Sequence, residues 1–367
     1  MKVLIAAGGT GGHVFPALAI ACSLRRRREE ATVEFVGTAG EMEAKWWQAA
    51  GFAFHRMEVS GLKGKRLGAM MRSLALLPHA LGRSWSILSQ ARPQVAVGVG
   101  GYVSGPLILI AAIRGIPTLI HEQNFFPGLT NRLLAPVVRQ VALAFPESAQ
   151  FFTRGRGKLT YTGNPIRREI LEGKREEAGK RFELSSHHFG ILVFGGSQGA
   201  SRINGAALEA LPHLASLREQ IQFLHASGEK DFIKVREGYA RSHFRAKVYP
   251  FIQDMASAYA LADLVISRAG AGTIAELAAL GKPSLLVPYP YAANDHQRYN
   301  AEALVSRGGA RWIFDHDLDG PSLARMIEET FKDPQGRETM GRRARSLAKI
   351  DADEQIADLI VKLASQP

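Results

Sequence analysis

Three glycine-rich turns are the sequence features best suited to bind phosphate groups. GGTGG, GGYVSG and GGSQG occupy residues 8–12, 100–105 and 195–199, and each follows an apolar run. Such turns expose backbone N–H groups, and a helix that begins beyond them adds the positive end of its dipole, so the combination attracts anions. None of the three matches the dinucleotide fingerprint G-x-G-x-x-G, which disfavours a nicotinamide dehydrogenase. Two turns in one half and one in the other predict that both halves bind diphosphate groups.

The segment RAGAGTIAE, at residues 268–276, joins another glycine turn to a carboxylate at the start of a predicted helix. Thr273 and Glu276 have the spacing of a capping box, and helix capping alone would account for both residues. A carboxylate beside a phosphate-binding turn can also accept both hydroxyls of a ribose, and we favour this interpretation for Glu276. The polar residues 294–300 can either contact sugar hydroxyls or cap the helix that begins near Gln297.

Closely spaced aspartates offer the obvious alternative, a metal site. Asp315, Asp317 and Asp319 form two overlapping D-x-D pairs directly before a helix predicted over residues 322–331. Aspartate at such a position commonly forms turns or caps the helix. We therefore predict no metal, and we expect no other cofactor.

The elements that must hold these turns alternate as strand, turn and helix, which is typical of parallel α/β sheets. Buried strands are predicted at residues 2–7, 33–36, 94–98, 118–121, 189–194, 264–267 and 284–287. The turns at residues 8 and 195 open two similar runs of units, which predicts two Rossmann-like domains facing across a cleft, with ligands at the carboxyl ends of the strands. The turn signal GNPI begins at residue 163 and predicts domains of residues 1–163 and 164–344. An apolar helix is expected from about residue 342.

Composition narrows the class of protein. The 367 residues carry a net charge of +12 and are 46% hydrophobic, which excludes a disordered chain or a coiled coil. The single cysteine, Cys22, cannot form an internal disulfide or a cysteine-based metal site. The apolar runs are too short for a signal peptide or a membrane span, so we expect a cytosolic protein with a basic surface.

Seven motifs together resemble one family of enzymes. In chain order they are GGTGGHVFPA (8–17), GGYVSGP (100–106), HEQN (121–124), GNPIR (163–167), GGSQG (195–199), RAGAGTIAE (268–276) and DHQ (295–297). In this order the motifs resemble those of the MurG family. Its members are the N-acetylglucosaminyltransferases that convert undecaprenyl-diphosphate-linked muramyl-pentapeptide (lipid I) to lipid II in peptidoglycan synthesis. The resemblance spans essentially the whole chain and implies the GT-B fold. It also implies that the first domain takes lipid I, that the second takes UDP-N-acetylglucosamine, and that a carboxyl-terminal helix (345–367) crosses back to the first domain.

The resemblance implies roles for individual residues. It places Thr10, Gly11 and Gly12 beside the donor sugar and the acceptor diphosphate, with His13 alongside, and it makes Asn124 a contact of the donor sugar. Those that it places around the nucleotide are Arg167, Ser197, Ile252, Ala271, Gly272, Thr273 and Glu276. Among these, the backbone of Ile252 would read uracil and Glu276 would bind the ribose, while Gln297 would contact a hydroxyl of the transferred sugar. Two positions depart from some relatives, which carry a second glutamine at Arg298 and a larger apolar residue at Gly272.

The mechanism that the family implies is an inverting transfer. The C4 hydroxyl of the acceptor attacks the anomeric carbon and UDP leaves, which forms a β-1,4 link. A helix amino terminus and Arg167 can stabilise the charge that develops on UDP. A general base must accept the hydroxyl proton, and His13 is our first candidate because a helix start favours the neutral imidazole. His13 can instead be a structural histidine bonded to its loop, and the pair of His121 and Glu122 is the second candidate.

The charge pattern of residues 59–121 predicts contact with a membrane. This stretch has no acidic residue, and its basic residues include Lys63, Lys65, Arg66, Arg72, Arg83, Arg92 and Arg114. Apolar side chains recur there at helical spacing, at Leu67, Met70, Met71, Leu74, Leu77, Leu81, Trp85 and Leu88, with Pro78 expected to break or kink the run. The alternative to membrane contact is that this apolar stripe packs against the protein core. Because the acceptor's lipid must stay in the bilayer, we expect peripheral binding at the cytoplasmic face of the plasma (inner) membrane.

Other functions stay open at this point. A UDP-sugar epimerase or a small-molecule glycosyltransferase of the same fold would use the same nucleotide without a lipid surface. A nucleic-acid binder would explain the positive charge, but the chain has no aromatic-basic motif of the common modules. The expected partners are UDP-N-acetylglucosamine, lipid I, an anionic membrane surface and proteins of cell-wall synthesis and division, with no nucleic acid.

Overall fold

A computed structural model gives the fold and describes residues 1–9, 11–38, 46–57 and 77–365. Within them the chain forms two compact units, one of Met1–Arg167 with Lys349–Pro367 and the other of Arg168–Ala348. Each unit is a parallel sheet with packed helices, which confirms the predicted fold class. The division falls a few residues beyond position 163, where the sequence predicted it.

The first unit contains a seven-stranded sheet in the order β3-β2-β1-β4-β5-β6-β7. Its strands are β1 (Lys2–Ala7), β2 (Thr32–Gly37), β3 (Ala53–Arg56), β4 (Val95–Gly100), β5 (Thr118–Glu122), β6 (Gln140–Leu143) and β7 (Leu159–Tyr161). Its helices before residue 168 are α1 (Gly11–Arg27), α2 (Leu77–Ala91), α3 (Ser104–Ile113) and α4 (Leu129–Leu134), with 3₁₀ turns at Pro146–Phe151 and Arg156–Lys158.

The central strand β1 shows why these apolar runs form strands rather than helices. Ile5 packs with Val14 of α1 in one buried cluster, while Leu4 packs with Leu107 of α3 in another. Alternate side chains of a strand point to opposite faces, so a continuously apolar strand requires cover on both sides. The helices provide that cover on both faces of the sheet. The ends of the strands, where the turns lie, stay uncovered by these helices.

The second unit contains a six-stranded sheet in the order β10-β9-β8-β11-β12-β13. Its strands are β8 (Phe189–Phe194), β9 (Ile221–Ala226), β10 (Ala246–Tyr249), β11 (Leu264–Ser267), β12 (Ser284–Leu286) and β13 (Arg311–Trp312). Its helices are α5 (Arg175–Phe182), α6 (Ser201–Ala210), α7 (Phe232–Ser242), α8 (Met255–Leu261), α9 (Ala271–Leu280), α10 (His296–Val305), α11 (Gly320–Lys332) and α12 (Pro334–Arg345). Short 3₁₀ turns lie at Arg168–Glu172, Leu211–Leu217 and Ala293–Asp295.

The carboxyl-terminal segment corrects the single tail helix expected from about residue 342. Helix α12 ends at Arg345, and a separate helix, α13, covers Ala352–Ala364. Ile350, expected on the apolar face, lies between them and is 55% exposed. Helix α13 packs in the first unit, where Ile356 and Ile360 join the core and Asp353 pairs with Arg26 of α1 at 2.9 Å.

Candidate functional site

The first two glycine turns lie against each other at the carboxyl edge of the first sheet. Because β1 and β4 are neighbouring parallel strands, the turns that follow them meet at the same edge. A Cβ on Gly101 would lie 2.2 Å from the carbonyl oxygen of Gly8, so only glycine permits this approach. Gly11 and Gly12 begin helix α1, while Thr10 lies outside the described residues. This edge therefore presents a helix amino terminus beside two backbone turns, an arrangement suited to phosphate.

His13, the first candidate for the base, stands in the first turn of α1 beside the second glycine turn. Its half-buried ring lies against Gly100, where an added Cβ would come within 2.3 Å of the ring carbon Cδ2. Gly100 also has a φ of +111°, which disfavours other residues. The glycine thus leaves the space that the imidazole occupies at the edge of the sheet.

Glu122, which we considered as a member of the alternative base, has a different role in the structure. Its Oε1 accepts the backbone N–H of Asn124 at 2.9 Å, and its Oε2 accepts Gly128 N–H at 2.9 Å and Asn131 Nδ2 at 2.8 Å. The residue is 2% exposed, and burial raises its pKa while these hydrogen bonds act in the opposite direction. Both oxygens are engaged away from solvent, so Glu122 folds the loop that carries Asn124 and is poorly placed to meet a substrate hydroxyl.

His121 is a buried structural histidine. Its Nε2–H donates to the carbonyl of Gly163 at 3.1 Å, which ties the end of β5 to the turn that ends the first unit's sheet. Burial lowers the pKa of His121 to about 4, with a smaller contribution in the same direction from His13. The ring is therefore neutral at physiological pH and is bonded within the fold.

Arg167 is positioned by an aromatic side chain of α1. Its guanidinium carbon lies 4.2 Å from the centre of the Phe15 ring, within the range of a cation–π interaction. Phe15 follows Gly11 by one helical turn. The contact therefore holds a positive charge near the start of α1, consistent with an interaction with phosphate.

The third glycine turn and the segment around Ile252 occupy the carboxyl edge of the second sheet. The turn follows β8, and helix α6 begins at Ser201. Ser197 is half-buried within the turn, and Ile252, which follows β10, is 4% exposed. Strands β8 and β10 both pair with β9, so the two segments end on the same side of the sheet.

Glu276 is oriented by a buried tyrosine rather than by a capping box. The residue before helix α9 is Gly270, so Thr273 lies within the helix and the capping position predicted for it is wrong. Glu276 Oε2 accepts a hydrogen bond from the Tyr259 hydroxyl at 2.8 Å. Ala271 is buried, and a Cβ on Gly272 would meet no atom within 4 Å, so the glycine leaves open space in the first turn of helix α9.

Gln297 joins two loops at the same edge. Its Oε1 accepts the N–H of Ala269 at 3.1 Å and that of Tyr289 at 3.0 Å, which links the loops after β11 and β12. The amide nitrogen is then the atom with which Gln297 can contact a sugar hydroxyl. Arg298 is held by Asp295, 2.5 Å from its Nε, and stacks on Tyr299, so it serves the local helix start.

The aspartates of the D-x-D pairs have structural partners. Asp319 is the N-cap of α11 and accepts the N–H of Ser322 at 2.8 Å, which confirms the capping interpretation at this position. Asp315 forms an ion pair with Arg268 at 2.5 Å. Across the described residues, no group of three or more His, Cys, Asp or Glu side chains is arranged to hold a metal ion.

The predicted membrane-binding segment is described only from residue 77. Lys63, Lys65, Arg66 and Arg72 lie outside the described residues, as do Leu67, Met70, Met71 and Leu74. Helix α2 begins at Leu77 with Pro78 in its first turn, and it divides the apolar stripe: Leu88 is buried in the core, whereas Leu77 is 44% and Trp85 52% exposed. Arg114 lies over the Trp85 ring at 4.8 Å. In the part of the chain that the structure describes, no helix is both long and apolar enough to cross a bilayer.

Two positioning side chains were not identified from the sequence. Tyr259 supports Glu276, and Asn131 supports Glu122. Both are polar residues inside otherwise ordinary helices, and no motif marks them. A buried polar group needs a hydrogen-bond partner, but sequence alone does not name the partner.

Comparison with known proteins agrees with this geometry. Residues 3–143 match the glycosyltransferase family 28 N-terminal domain and residues 190–359 its C-terminal domain. A relative from Anaeromyxobacter sp. (strain K), UDP-N-acetylglucosamine–N-acetylmuramyl-(pentapeptide) pyrophosphoryl-undecaprenol N-acetylglucosamine transferase, is 48% identical over 99% of this chain and 93% of its own. The crystal structure of Acinetobacter baumannii MurG has a TM-score of 0.76 and 31% identity, covering 98% of this chain and 99% of that one.

A more distant likeness concerns the fold alone. The UDP-GlcNAc 2-epimerase from Neisseria meningitidis, solved with UDP-GlcNAc bound, has a TM-score of 0.72 at 15% identity and covers 99% of this chain and 100% of its own. An epimerase thus shares the architecture. The sequence identity, however, is 48% with the transferase and only 15% with the epimerase. The chain belongs to glycosyltransferase family 28 and, within it, to the MurG family of N-acetylglucosaminyltransferases.

Proposed function

We propose that this chain transfers N-acetylglucosamine from UDP-N-acetylglucosamine to the C4 hydroxyl of the N-acetylmuramyl residue in lipid I, forming lipid II. The observation that carries the proposal is the orientation of Glu276 by Tyr259 at the carboxyl edge of the second sheet. Strand β8, which leads into the GGSQG turn, pairs with β11, which leads into helix α9. A carboxylate for ribose and a turn for diphosphate thus follow adjacent strands, as a UDP-sugar requires.

The second unit is proposed to hold the donor. The turn that contains Ser197 takes the diphosphate, the backbone at Ile252 takes uracil, and Glu276 takes the ribose hydroxyls. The first turn of helix α9, with Ala271, Gly272 and Thr273, lines the nucleotide, and the Gln297 amide nitrogen donates to the sugar. The first unit is proposed to hold the acceptor, at the turn that contains Thr10, Gly11 and Gly12. Asn124 is proposed as a contact of the donor sugar.

The chemical step moves one proton and one glycosyl group. As the acceptor C4 oxygen forms its bond to the anomeric carbon, the bond from that carbon to the diphosphate oxygen breaks and UDP leaves. His13 accepts the hydroxyl proton, and Nε2 is the nitrogen that we assign to this step because Nδ1 is buried. Arg167 and a helix amino terminus stabilise the charge on the departing diphosphate.

Membrane binding follows from the acceptor's lipid chain. We propose that the protein binds peripherally at the cytoplasmic face of the plasma membrane, through the exposed Leu77 and Trp85, the neighbouring Arg114 and the basic residues of positions 63–72. An exposed tryptophan beside arginines suits the interface of an anionic bilayer. A lipid-linked product must then be passed on, so we include proteins of cell-wall synthesis and division among the expected partners.

The test is a transfer assay with radiolabelled UDP-N-acetylglucosamine and a lipid I analogue. The proposal requires label in the lipid product and release of one UDP for each sugar transferred. A parallel reaction without acceptor examines the epimerase alternative, which would form a C2 epimer of the donor. Label on small soluble acceptors but not on the lipid I analogue would contradict the acceptor assignment.

A further inference from the structure

A buried polar network in the second unit adjoins the loops that we assign to the nucleotide. His225, near the end of β9, is fully buried, with Nδ1 3.1 Å from the Tyr239 hydroxyl and Nε2 2.9 Å from Asn204 Oδ1. Asn204, in helix α6, places its Nδ2 2.8 Å from the carbonyl oxygen of Ser227 and 2.9 Å from Asp231 Oδ2. None of these residues belongs to a motif used above.

The direction of each hydrogen bond in this network is determined by two acceptors. The Ser227 carbonyl and the Asp231 carboxylate only accept, so the Asn204 amide nitrogen donates both of its hydrogens and the amide has a single orientation. Oδ1 must then face His225 and accept from Nε2–H, which leaves Nδ1 to accept from the Tyr239 hydroxyl. Hydrogen bonding by Ser201 holds the pKa of Asp231 below its usual value, and burial lowers the pKa of His225 to about 3. Asp231 is therefore charged and His225 neutral, as these hydrogen-bond directions require.

The turn that Asn204 holds contacts both nucleotide loops. The N–H of Gly228 donates to the carbonyl of Pro250 at 3.0 Å, two residues before Ile252. On the other side, a Cβ on Gly199 would lie 2.2 Å from the Ser227 oxygen, so the turn also lies directly against the GGSQG backbone. A displacement of Ser227 would therefore move the segment assigned to uracil and the turn assigned to diphosphate together.

We propose that Asn204, held by a hydrogen bond from His225, is a positioning residue of the UDP site. It clamps the Ser227–Gly228 turn so that the base-reading segment and the phosphate turn keep their separation, without itself touching the nucleotide. This inference rests on the proposed function, because it presumes that UDP occupies this edge of the sheet. The Asn204 amide is required rather than a residue of similar size, since only an amide can donate to two acceptors while accepting from His225 Nε2.

The test is the Asn204→Asp variant, which keeps the shape of the side chain but turns an oxygen toward the Ser227 carbonyl and the Asp231 carboxylate. We expect the Kd for UDP to rise about tenfold, the size expected when a buried hydrogen bond becomes an unpaired contact. The KM for UDP-N-acetylglucosamine should rise similarly, while kcat at saturating donor stays within about twofold.

The matched control is Gln222→Glu, the same amide-to-carboxylate change on strand β9. Gln222 is fully buried and its Oε1 accepts the N–H of Ser185 at 2.9 Å, but it lies toward the amino end of the strand, away from the nucleotide loops. Both variants should lower the melting temperature, and only Asn204→Asp should raise the Kd for UDP. Equal weakening of UDP binding in both variants would show that the change at Asn204 acts through a general loss of stability. That result would overturn the proposal.

A second variant keeps the proposal testable if Asn204→Asp does not fold. His225→Phe leaves Asn204 in place but removes the Nε2–H that donates to its Oδ1, and we expect a smaller rise, about threefold, in the Kd for UDP. Unchanged UDP affinity in every variant that folds, with UDP binding by the wild-type chain, would overturn this inference alone. Failure of the wild-type chain to bind UDP would instead contradict the proposed function.

Discussion

Tyr259 donates a hydrogen bond of 2.8 Å to Glu276, and this bond sets the orientation of the carboxylate proposed to bind the ribose. Tyr259 lies in α8 and is fully buried, with its ring edge-on to that of Phe194. Phe194 ends β8 and leads directly into the GGSQG turn. One tyrosine side chain therefore connects the ribose carboxylate with the turn assigned to the diphosphate.

Changing Glu276 to Gln should raise the Kd for UDP about tenfold or more. The variant keeps the shape of the side chain but loses the charged acceptor, and hydrogen bonds to charged groups are the stronger ones. Because Gly270 precedes helix α9, no capping interaction of Glu276 is expected to add to the effect. Isothermal titration calorimetry with UDP measures the change, and an unchanged Kd would leave Glu276 with a structural role only.

Changing Tyr259 to Phe should weaken UDP binding less than the change at Glu276. The carboxylate stays but loses the partner that orients it, so we expect a rise in Kd of about three- to tenfold. Titration calorimetry with UDP measures the change, and the melting temperature of the variant measures any general loss of packing. A Tyr259→Phe variant with wild-type affinity at wild-type stability would show that the hydrogen bond does not serve the ribose site.

Changing His13 to Ala should keep UDP affinity while turnover falls by about 10² to 10⁴, the range for loss of a general base. The variant removes the imidazole that lies against Gly100 but leaves both glycine turns. His79→Ala, at an exposed histidine of helix α2, is the matched control and should turn over like the wild type. Near wild-type turnover of His13→Ala at every pH would remove His13 from the chemistry.

The stability of the protein should fall as the pH decreases from 7 to 5, in part because His225 is buried and neutral. Its pKa in the folded chain is about 3, whereas the ordinary value is 6.5, so the unfolded chain takes up a proton first as the pH falls below 6.5. Between pH 7 and pH 5 this linkage removes about 2 kcal/mol from the free energy of unfolding. Urea unfolding at both pH values measures the loss. The His225→Phe variant should lose about 2 kcal/mol less than the wild type over this interval, and an equal loss would contradict the assignment.

Changing Lys63, Lys65, Arg66 and Arg72 to Ser should reduce binding to anionic vesicles, because each basic residue near the surface contributes about 1 kcal/mol. Binding by the wild type should weaken at high salt, where charges are screened. Flotation with anionic and with neutral vesicles measures both effects. The control replaces four exposed arginines of the second unit, Arg325, Arg342, Arg343 and Arg345, by Ser. Equal recovery on the two lipids, or equal losses in the two variants, would contradict electrostatic docking through residues 63–72.

The sequence by itself determined the parallel α/β class, seven of the strands and the positions of the glycine turns. Strands β8 and β11 begin and end at the residues predicted, Phe189–Phe194 and Leu264–Ser267. Both are continuously apolar runs bounded by turn residues, and such runs are buried on both faces in parallel sheets, so the signal is local. The order of the motifs was equally local, and it identified the family before any contact was known.

Only the tertiary structure decided which partners engage the polar side chains of the motifs. Glu122 is engaged by Asn131, nine residues away, and Glu276 by Tyr259, seventeen residues away, and neither spacing is a recognised motif. Likewise, the apolar stripe of α2 divides between a buried Leu88 and an exposed Trp85 because the helix packs on one face only. Spacing along the chain predicts a helix or strand and its periodicity. The partners that hold a carboxylate come from other elements, and only folding brings them into contact with it.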